Sequence, residues 1–266
     1  MSADLFFFRV AGYLKYILFS SSRKGYGIHS PLIFDLVTRI FTDKANEVKA
    51  VRIEKIRKRL KADYRIIEVN DLGAGSVKER NNRVRVSDIV RKSAVPGKFG
   101  ILLSNLAREF GKNLIVEFGT SFGISTMYLA SGTEDAQVIT MEGSSAVAEI
   151  ASCNFTESGF ANIRLLTGSF EESLDKILNM GTSPGLVFID GNHRKGPVLD
   201  YFDKIAKIAD PETVVIIDDI NYSHGMAEAW HLIKKHDKVS ITVDLYRMGI
   251  VLFRKGTVRQ NYIIRY

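Results

Sequence analysis

One stretch, residues 114–130, constrains the fold of this chain more than any other. Its sequence LIVEFGTSFGISTMYLA begins with an apolar run that ends in Glu117, passes Gly119 and Gly123, and becomes helical in pattern from Ile124. The apolar run predicts a strand that is buried on both faces. The glycines predict a tight turn that enters a helix and lets a ligand approach the backbone. We therefore expect the first nucleotide-binding turn of a doubly wound α/β domain.

Strand and helix patterns alternate from this turn towards the end of the chain, which is typical of a mainly parallel sheet with helices on both faces. The last two predicted strands are separated only by residues 245–249, which is too short for a parallel crossover, so they predict an antiparallel hairpin at the sheet edge. Strands are predicted at residues 114–118, 138–141, 163–166, 186–190, 214–218, 240–244 and 250–254, and helices near 124–130, 145–158, 170–179, 198–208 and 226–236.

The first hundred residues differ from the rest in charge. They hold 21 Lys and Arg against 10 Asp and Glu, a net charge of +11, whereas residues 101–266 carry −4. This excess of basic residues suits the binding of nucleic acid, anionic lipid or an acidic substrate. It also suits a solvated helical face, because the basic residues within 52–61 alternate with apolar residues at helical spacing. We predict a mainly helical basic extension, residues 1–100, that serves as lid, substrate or dimer region, and a ligand-binding domain, residues 101–266.

Residues 5–19 predict a helix with a broad apolar face. Arg9 and Lys15 interrupt the apolar residues before a run of about 18 is reached, so we expect no transmembrane segment. The face leaves three partners open, namely the main domain, a second copy in a homodimer, and the surface of a membrane. Further helices are predicted at 31–41, after an N-cap at Ser30, and at 101–110.

The chain has a single cysteine, Cys153, which excludes an intramolecular disulfide and a multi-cysteine metal site. This favours a reducing compartment, and we predict a cytoplasmic protein. Because Cys153 lies in a predicted helix, we expect it to be an inert core thiol.

A second glycine-rich segment, residues 71–76, superficially repeats the pattern of the first turn. Asp71, Gly73 and Gly75 supply an acid and two glycines, but residues 78–83 that follow are polar all round and cannot form the buried helix that such a turn needs. The segment is either a loop that folds over the ligand or a plain surface turn, and the sequence leaves both readings open.

The five helix-linked strands and the terminal hairpin resemble the class I S-adenosylmethionine-dependent methyltransferases, over residues 112–255. The resemblance implies a seven-stranded, mostly parallel sheet of order 3-2-1-4-5-7-6 with strand 7 antiparallel. It implies that the first turn wraps the methionine part of the cofactor, that Glu142 holds the ribose hydroxyls, and that the segment from Gly168 borders the adenine. The implied cofactor-binding residues are Glu117, Gly119, Thr120, Ser121, Gly123, Glu142, Gly143, Gly168, Ser169, Phe170 and Asp190.

The glycine spacing itself disfavours a dinucleotide. A dinucleotide turn, G-x-G-x-x-G, needs glycine at positions that Ser121 and Ile124 occupy here. S-adenosylmethionine carries no phosphate, so a wider turn suffices, and Glu142 follows Gly119 by 23 residues, a distance that suits a ribose-binding acid. A nicotinamide oxidoreductase is the weaker alternative.

Two polar segments, residues 188–196 and 216–225, follow the fourth and fifth predicted strands. They bring Asp190, Asp218 and Asp219 to the carboxyl ends of neighbouring strands, where open α/β sheets bind ligands. Such an oxygen-rich set suits Mg²⁺ or another hard divalent cation, which could lower the pKa of a substrate hydroxyl.

These segments resemble the divalent-metal-dependent catechol and caffeoyl-coenzyme A O-methyltransferases. The resemblance makes Asp190 and Asp218 metal ligands, with Asp219 where that family has Asn. His193 occupies the position of a family Lys, so it is the expected general base, with Asp190 as the second catalytic residue. In the alternative reading Asp190 and Asp218 cap helices or orient the cofactor without a metal. His224 is a further metal ligand, a substrate contact or, in the simpler reading, a loop histidine that caps the next helix.

The sequence thus predicts an S-adenosylmethionine-dependent methyltransferase that acts on a hydroxyl of a small molecule. One alternative is an RNA methyltransferase that uses the basic N-terminal segment, although no Asn-Pro-Pro-Tyr-like motif follows strand four or five. A second alternative is a protein that binds S-adenosylmethionine without catalysis.

Overall fold

The computed structural model of the protein describes residues 3–22, 24–44, 47–69 and 82–266. The chain forms two compact units, which we call the central unit, Asp43–Leu186, and the terminal unit, Met1–Thr42 with Val187–Tyr266. The predicted functional boundary at residue 100 stays a prediction. The second glycine-rich segment, residues 71–76, lies outside the described residues.

Most of the predicted elements are present, with ends shifted by a few residues. The helices are α1 (Ala3–Phe19), α2 (Pro31–Thr38), α3 (Glu47–Lys61), α4 (Val86–Ser93), α5 (Gly97–Phe110), α6 (Ile124–Gly132), α7 (Ser145–Ser158), α8 (Phe170–Leu178), α9 (Lys195–Ile208) and α10 (His224–Ile233). The strands are β1 (Ile66–Glu68), β2 (Arg83–Arg85), β3 (Leu114–Phe118), β4 (Gln137–Glu142), β5 (Ile163–Thr167), β6 (Leu186–Ile189), β7 (Val214–Ile217), β8 (Ile241–Asp244), β9 (Gly249–Leu252) and β10 (Gln260–Ile263).

The central unit carries the parallel strands β3, β4 and β5. Strand β4 pairs with both of its neighbours, Leu114 lying opposite Gln137 and Val138 opposite Ile163. All five residues of β3 are buried, which confirms the prediction of a strand covered on both faces. The order β5-β4-β3 corresponds to the predicted 3-2-1.

The terminal unit carries the rest of the predicted order. The strands follow one another as β6-β7-β9-β8, which corresponds to 4-5-7-6, and β9 is antiparallel to both β7 and β8. The fold class and the antiparallel terminal hairpin are therefore confirmed. Strand β10 pairs in parallel with the outer strand of this hairpin, so β8 is not the edge. The sequence did not reveal β10, because its residues alternate between half-buried and exposed and form no apolar run.

Helix α1 packs in the terminal unit through a narrow face. Tyr16 is its buried residue, and the Tyr16 hydroxyl donates a hydrogen bond to the Ile264 carbonyl at 2.8 Å. Phe7, Leu14 and Leu18 are 68%, 57% and 77% exposed. None of the helices that the structure describes combines the length and the apolar character needed to cross a membrane. A homodimer through the exposed face of α1 stays a prediction.

Cys153 is exposed, so the prediction of a core thiol is wrong. Helix α7 buries a face that includes Val147, Ala151 and Phe155, and Cys153 lies off that face although it is inside the helix.

Candidate functional site

The predicted turn between β3 and α6 requires glycine. Gly119 has φ of 93° and Gly123 has φ of 81°, and this left-handed region disfavours side chains with a Cβ atom. A Cβ on Gly123 would also lie 2.3 Å from the Phe155 ring. The amides of Gly119 and Thr120 donate to the Met141 carbonyl at 3.1 and 3.0 Å, so the turn is tied to the carboxyl end of β4.

Glu142 closes β4 and holds the same turn with its side chain. One carboxylate oxygen accepts a hydrogen bond from the Ser121 amide at 2.8 Å, and the other accepts one from the Ser144 amide at 3.0 Å. Ser121 adopts φ of 48°, which aims its amide at this carboxylate. The structure thus brings the predicted ribose-binding acid together with the predicted turn. Glu142 and Ser144, which bonds to the same carboxylate, lie on either side of Gly143.

The third predicted cofactor segment joins them through the backbone. The Gly168 amide donates to the Glu142 carbonyl at 2.9 Å, and Gly168 has φ of 134°. Ser169 caps α8, since its hydroxyl accepts a hydrogen bond from the Glu172 amide. The Phe170 ring packs edge-on against Phe118 of β3, with 6.1 Å between the ring centroids. The central unit therefore gathers the turn, Glu142 and the 168–170 segment, as predicted.

Glu117 lies at the end of β3 and is fully buried. One of its oxygens accepts hydrogen bonds from the Thr126 and Thr140 hydroxyls, while the other, Oε1, makes no well-formed hydrogen bond within the described residues. Burial raises the pKa of Glu117 to about 7, against the opposing effect of the Ser125, Thr126 and Thr140 hydroxyls. In this structure Glu117 links α6 to β4 through Thr126 and Thr140, and its contact with the cofactor stays a prediction.

The predicted catalytic residues lie in the terminal unit. Asp190 follows β6, and its carboxylate is 3.7 Å from Nε2 of His193. His193 is 29% exposed and Asp190 11% exposed at the side chain, so the pair is accessible to a ligand. The structure brings the predicted base and its acidic neighbour together.

Asp218 and Asp219 follow β7, but an arginine that the sequence did not single out holds the first of them. Arg247 Nε and Nη2 donate to the two carboxylate oxygens of Asp218 at 3.0 and 2.6 Å, and Asp218 has no exposed surface. Asp219 lies 3.7 Å from the same Nη2 atom. Burial and the neighbouring Asp218 charge raise the pKa of Asp219, while Arg247 opposes this shift.

The predicted metal centre at Asp190, Asp218 and Asp219 does not fit this geometry. A divalent cation needs carboxylate oxygens that face it, whereas both oxygens of Asp218 face a guanidinium. Within the described residues, no group of three His, Cys, Asp or Glu side chains is arranged to hold a metal. Spacing along the chain could not reveal this, because Arg247 lies 29 residues from Asp218.

Helix α1 contributes a second arginine near the predicted catalytic pair, His193 and Asp190. Arg9 donates to the Tyr222 carbonyl from Nε at 2.9 Å, and its guanidinium lies 4.5 Å from the centroid of the Tyr222 ring. The Tyr222 ring lies 5.9 Å from that of His193. His224 begins α10 and pairs with Asp4 of α1, and Ser223 caps that helix, so the predicted capping role of His224 is wrong.

Comparison with known sequences finds that part of this chain is similar to a family of domains. Residues 116–220 match the family model of a methyltransferase domain. A predicted O-methyltransferase of Mycolicibacterium smegmatis is 36% identical over 113 residues, which are 41% of this chain and 52% of that protein. The chain spans about half the length of the curated relatives it matches.

Solved structures resemble the chain over most of its length. The O-methyltransferase from Bacillus cereus, in complex with S-adenosylhomocysteine, superimposes with a TM-score of 0.55 at 21% identity, covering 83% of this chain and 96% of that one. The chain has the class I methyltransferase fold. The O-methyltransferase TomG from Streptomyces achromogenes, in complex with S-adenosylmethionine, superimposes with a TM-score of 0.53 at 20% identity, covering 84% of this chain and 95% of that one.

The methyltransferase family match includes some of the residues described above and excludes others. It includes the turn, Glu142, the 168–170 segment and the polar residues from Asp190 to Asp219, but it excludes Arg9 and Arg247. We call Asp190, Asp218 and Asp219 the acidic cluster. Both arginines described near it, Arg9 and Arg247, lie outside the matched region.

Proposed function

We propose that the protein is an S-adenosylmethionine-dependent methyltransferase that methylates a hydroxyl group of a small molecule. The observation that carries the proposal is the Glu142 carboxylate, which the Ser121 and Ser144 amides hold beside a left-handed glycine turn. The matched methyltransferase domain and the O-methyltransferases with similar folds support the same reaction class.

The residues of the central unit suit the methyl donor. A carboxylate has about four lone-pair positions, so Glu142 can accept from the two ribose hydroxyls in addition to its two amide donors. The open backbone at Gly119 lets the methionine part of the donor approach closely. Gly168 and Phe170 follow the neighbouring strand, and we assign them to the adenine, beside the Phe118 ring. When bound, S-adenosylmethionine supplies an electrophilic methyl carbon on a sulfonium sulfur.

The terminal unit suits an oxygen nucleophile. The donor, held by Gly119, Glu142 and Gly168, would supply its methyl group to the acceptor oxygen and would keep the electron pair of the carbon–sulfur bond. The hydroxyl proton must leave, and we assign it to Nε2 of His193, because an imidazole is the commonest general base in enzymes. Asp190, 3.7 Å from the same nitrogen, stabilises the imidazolium that forms.

The basic N-terminal segment gives little support to an RNA substrate. The three arginines of α3 engage groups of their own unit: Arg57 pairs with Glu54, Arg59 with Glu157, and Arg52 donates to the Ser158 carbonyl. Side chains engaged in this way are less able to neutralise phosphates. Binding of S-adenosylmethionine without any turnover would support the non-catalytic alternative.

The proposal is tested in two steps on the full chain. Calorimetry measures the binding of S-adenosylhomocysteine, and transfer of a labelled methyl group to a panel of catechols, phenols and sugar hydroxyls measures catalysis. We expect His193→Ala to lower kcat by about 100-fold because a general base is lost, with the affinity for S-adenosylhomocysteine unchanged.

His236 offers a matched control, because its Nε2 also lies 3.7 Å from a carboxylate, that of Asp203, and its side chain is also 29% exposed. We expect His236→Ala to keep wild-type kcat. Equal losses in both variants would refute the assignment of His193, and failure of S-adenosylhomocysteine to bind would refute the proposed function itself.

A further inference from the structure

Two of the three acidic residues predicted to share a metal face a guanidinium instead. Arg247 binds both oxygens of Asp218, and its Nη2 atom lies 3.7 Å from Asp219. The charges of Asp218, Asp219 and Asp190 together raise the pKa of Arg247, although burial by itself lowers it. One fixed cation therefore acts on all three carboxylates.

The backbone holds Arg247 in this place. The Arg247 amide donates to the Leu245 carbonyl at 2.9 Å, and the Arg247 carbonyl accepts from the Ile220 amide at 3.0 Å. The Asn221 side chain donates to the carbonyl of the preceding residue, Tyr246, at 2.7 Å. The loop of the β8–β9 hairpin is thus bonded to the residues that follow Asp218 and Asp219.

A metal ion could not easily replace Arg247 as the partner of Asp218. Asp218 has no exposed surface, and a buried carboxylate with a bidentate arginine is strongly held. A cation that took the oxygens of Asp218 would have to displace the guanidinium, which would then keep its positive charge beside the incoming ion.

We propose that Arg247 takes the place of a divalent cation in this site and positions Asp218 and Asp219, so that methyl transfer proceeds without a metal. The part of the inference that concerns methyl transfer rests on the proposed function. The part that concerns cation binding by the acidic cluster does not. Arg247 lies outside the region that matches the methyltransferase domain, residues 116–220.

The test is a titration with Mn²⁺, followed by the electron paramagnetic resonance signal of the free ion, on the full-length wild type and on Arg247→Ala. We expect the wild type to show no binding that depends on Asp218. Removal of the guanidinium leaves two adjacent carboxylates without their cation, so we expect Arg247→Ala to bind Mn²⁺ at least about tenfold more tightly. Adding Asp218→Asn to that variant is expected to abolish the gain.

Controls separate this effect from general damage. Arg254→Ala removes another arginine of the same unit, one that donates to the Pro211 carbonyl and pairs with Glu212, and it is expected to leave Mn²⁺ binding at the wild-type level. If Arg247→Ala does not fold, Arg247→Lys keeps one positive charge and is expected to bind no Mn²⁺, as in the wild type.

Two results would overturn the inference: wild-type binding of Mn²⁺ that Asp218→Asn abolishes, or a folded Arg247→Ala that gains no Mn²⁺ affinity. For the reaction, wild-type turnover is expected to be unchanged after treatment with a chelator, and loss of turnover that Mg²⁺ restores would contradict this. Failure of S-adenosylhomocysteine to bind would instead remove the proposed function and leave the Mn²⁺ titration interpretable.

Discussion

The proposed donor region and the acidic cluster are built in different ways. In the donor region, the turn and Glu142 belong to consecutive elements, and the Ser121–Glu142 hydrogen bond joins residues 21 positions apart. In the acidic cluster, the hydrogen bonds come from arginines that are distant in sequence. Arg247 lies 29 residues from Asp218, and Arg9 lies 213 residues from Tyr222. A site assembled from consecutive elements can be anticipated from spacing, whereas a site completed by distant arginines cannot.

The largest expected effect would come from breaking the donor turn. Gly119→Val places a β-branched residue at φ of 93°, so we expect binding of S-adenosylhomocysteine to weaken by more than about 100-fold as the turn loses its conformation. Calorimetry measures the affinity. Gly181 has φ of 67° and open space around it, so Gly181→Val is strained in the same way and is expected to retain binding. Unchanged affinity in Gly119→Val would remove the donor assignment.

A second prediction concerns the buried acid beneath the same turn. Because the pKa of Glu117 is about 7 in the folded chain and near 4.5 when unfolded, the native state binds this proton more tightly. The stability that protonation contributes is present below pH 4.5 and is lost as the pH rises through 7, an effect of about 3 kcal/mol. Wild type and Glu117→Gln are expected to be similarly stable near pH 5, with the variant more stable near pH 8.

Chemical denaturation of the ligand-free proteins across this pH range measures the difference in the free energy of unfolding. Thr140→Val removes a hydroxyl that lowers the pKa of Glu117, so the wild-type loss of stability is expected to shift to higher pH in that variant. A constant difference between wild type and Glu117→Gln at all pH values would show that folding does not raise the pKa of Glu117.

The smallest expected effect concerns the contribution of helix α1 to the acidic cluster. Arg9→Met keeps much of the side-chain length but removes the hydrogen bond to the Tyr222 carbonyl and the cation–π contact with its ring. We expect the KM for the acceptor to rise about threefold, with the affinity for S-adenosylhomocysteine unchanged, because partly exposed contacts of this kind contribute about 0.5–1 kcal/mol. Steady-state kinetics measures both constants.

Arg39 provides the control for this change. It forms an exposed pair with Asp35 in the same N-terminal part of the chain, so Arg39→Met is expected to alter neither constant. Equal KM values in the wild type and Arg9→Met would show that α1 does not shape the acceptor site.

Local patterns were sufficient for most of the fold. The buried run of β3, the glycine turn that follows it and the short connection between β8 and β9 are each encoded in a few consecutive residues, and the structure contains each of them. Strand β10 could not be predicted from its own residues, because they form no apolar run. It pairs with β8, a strand from which β9 separates it along the chain. Cys153 was misplaced because its position relative to the buried face of α7 depends on what packs there.

By itself, the sequence determined the strand-turn-helix order, the glycines of the turn and the position of Glu142 one strand later. These follow from short-range sterics and from the periodicity of burial, which act on neighbouring residues. Only the tertiary structure decided that Asp218 faces Arg247 and that Arg9 covers Tyr222. A buried charge is stabilised by whichever opposite charge the packing of distant segments brings within bonding distance, and no spacing along the chain records that partner.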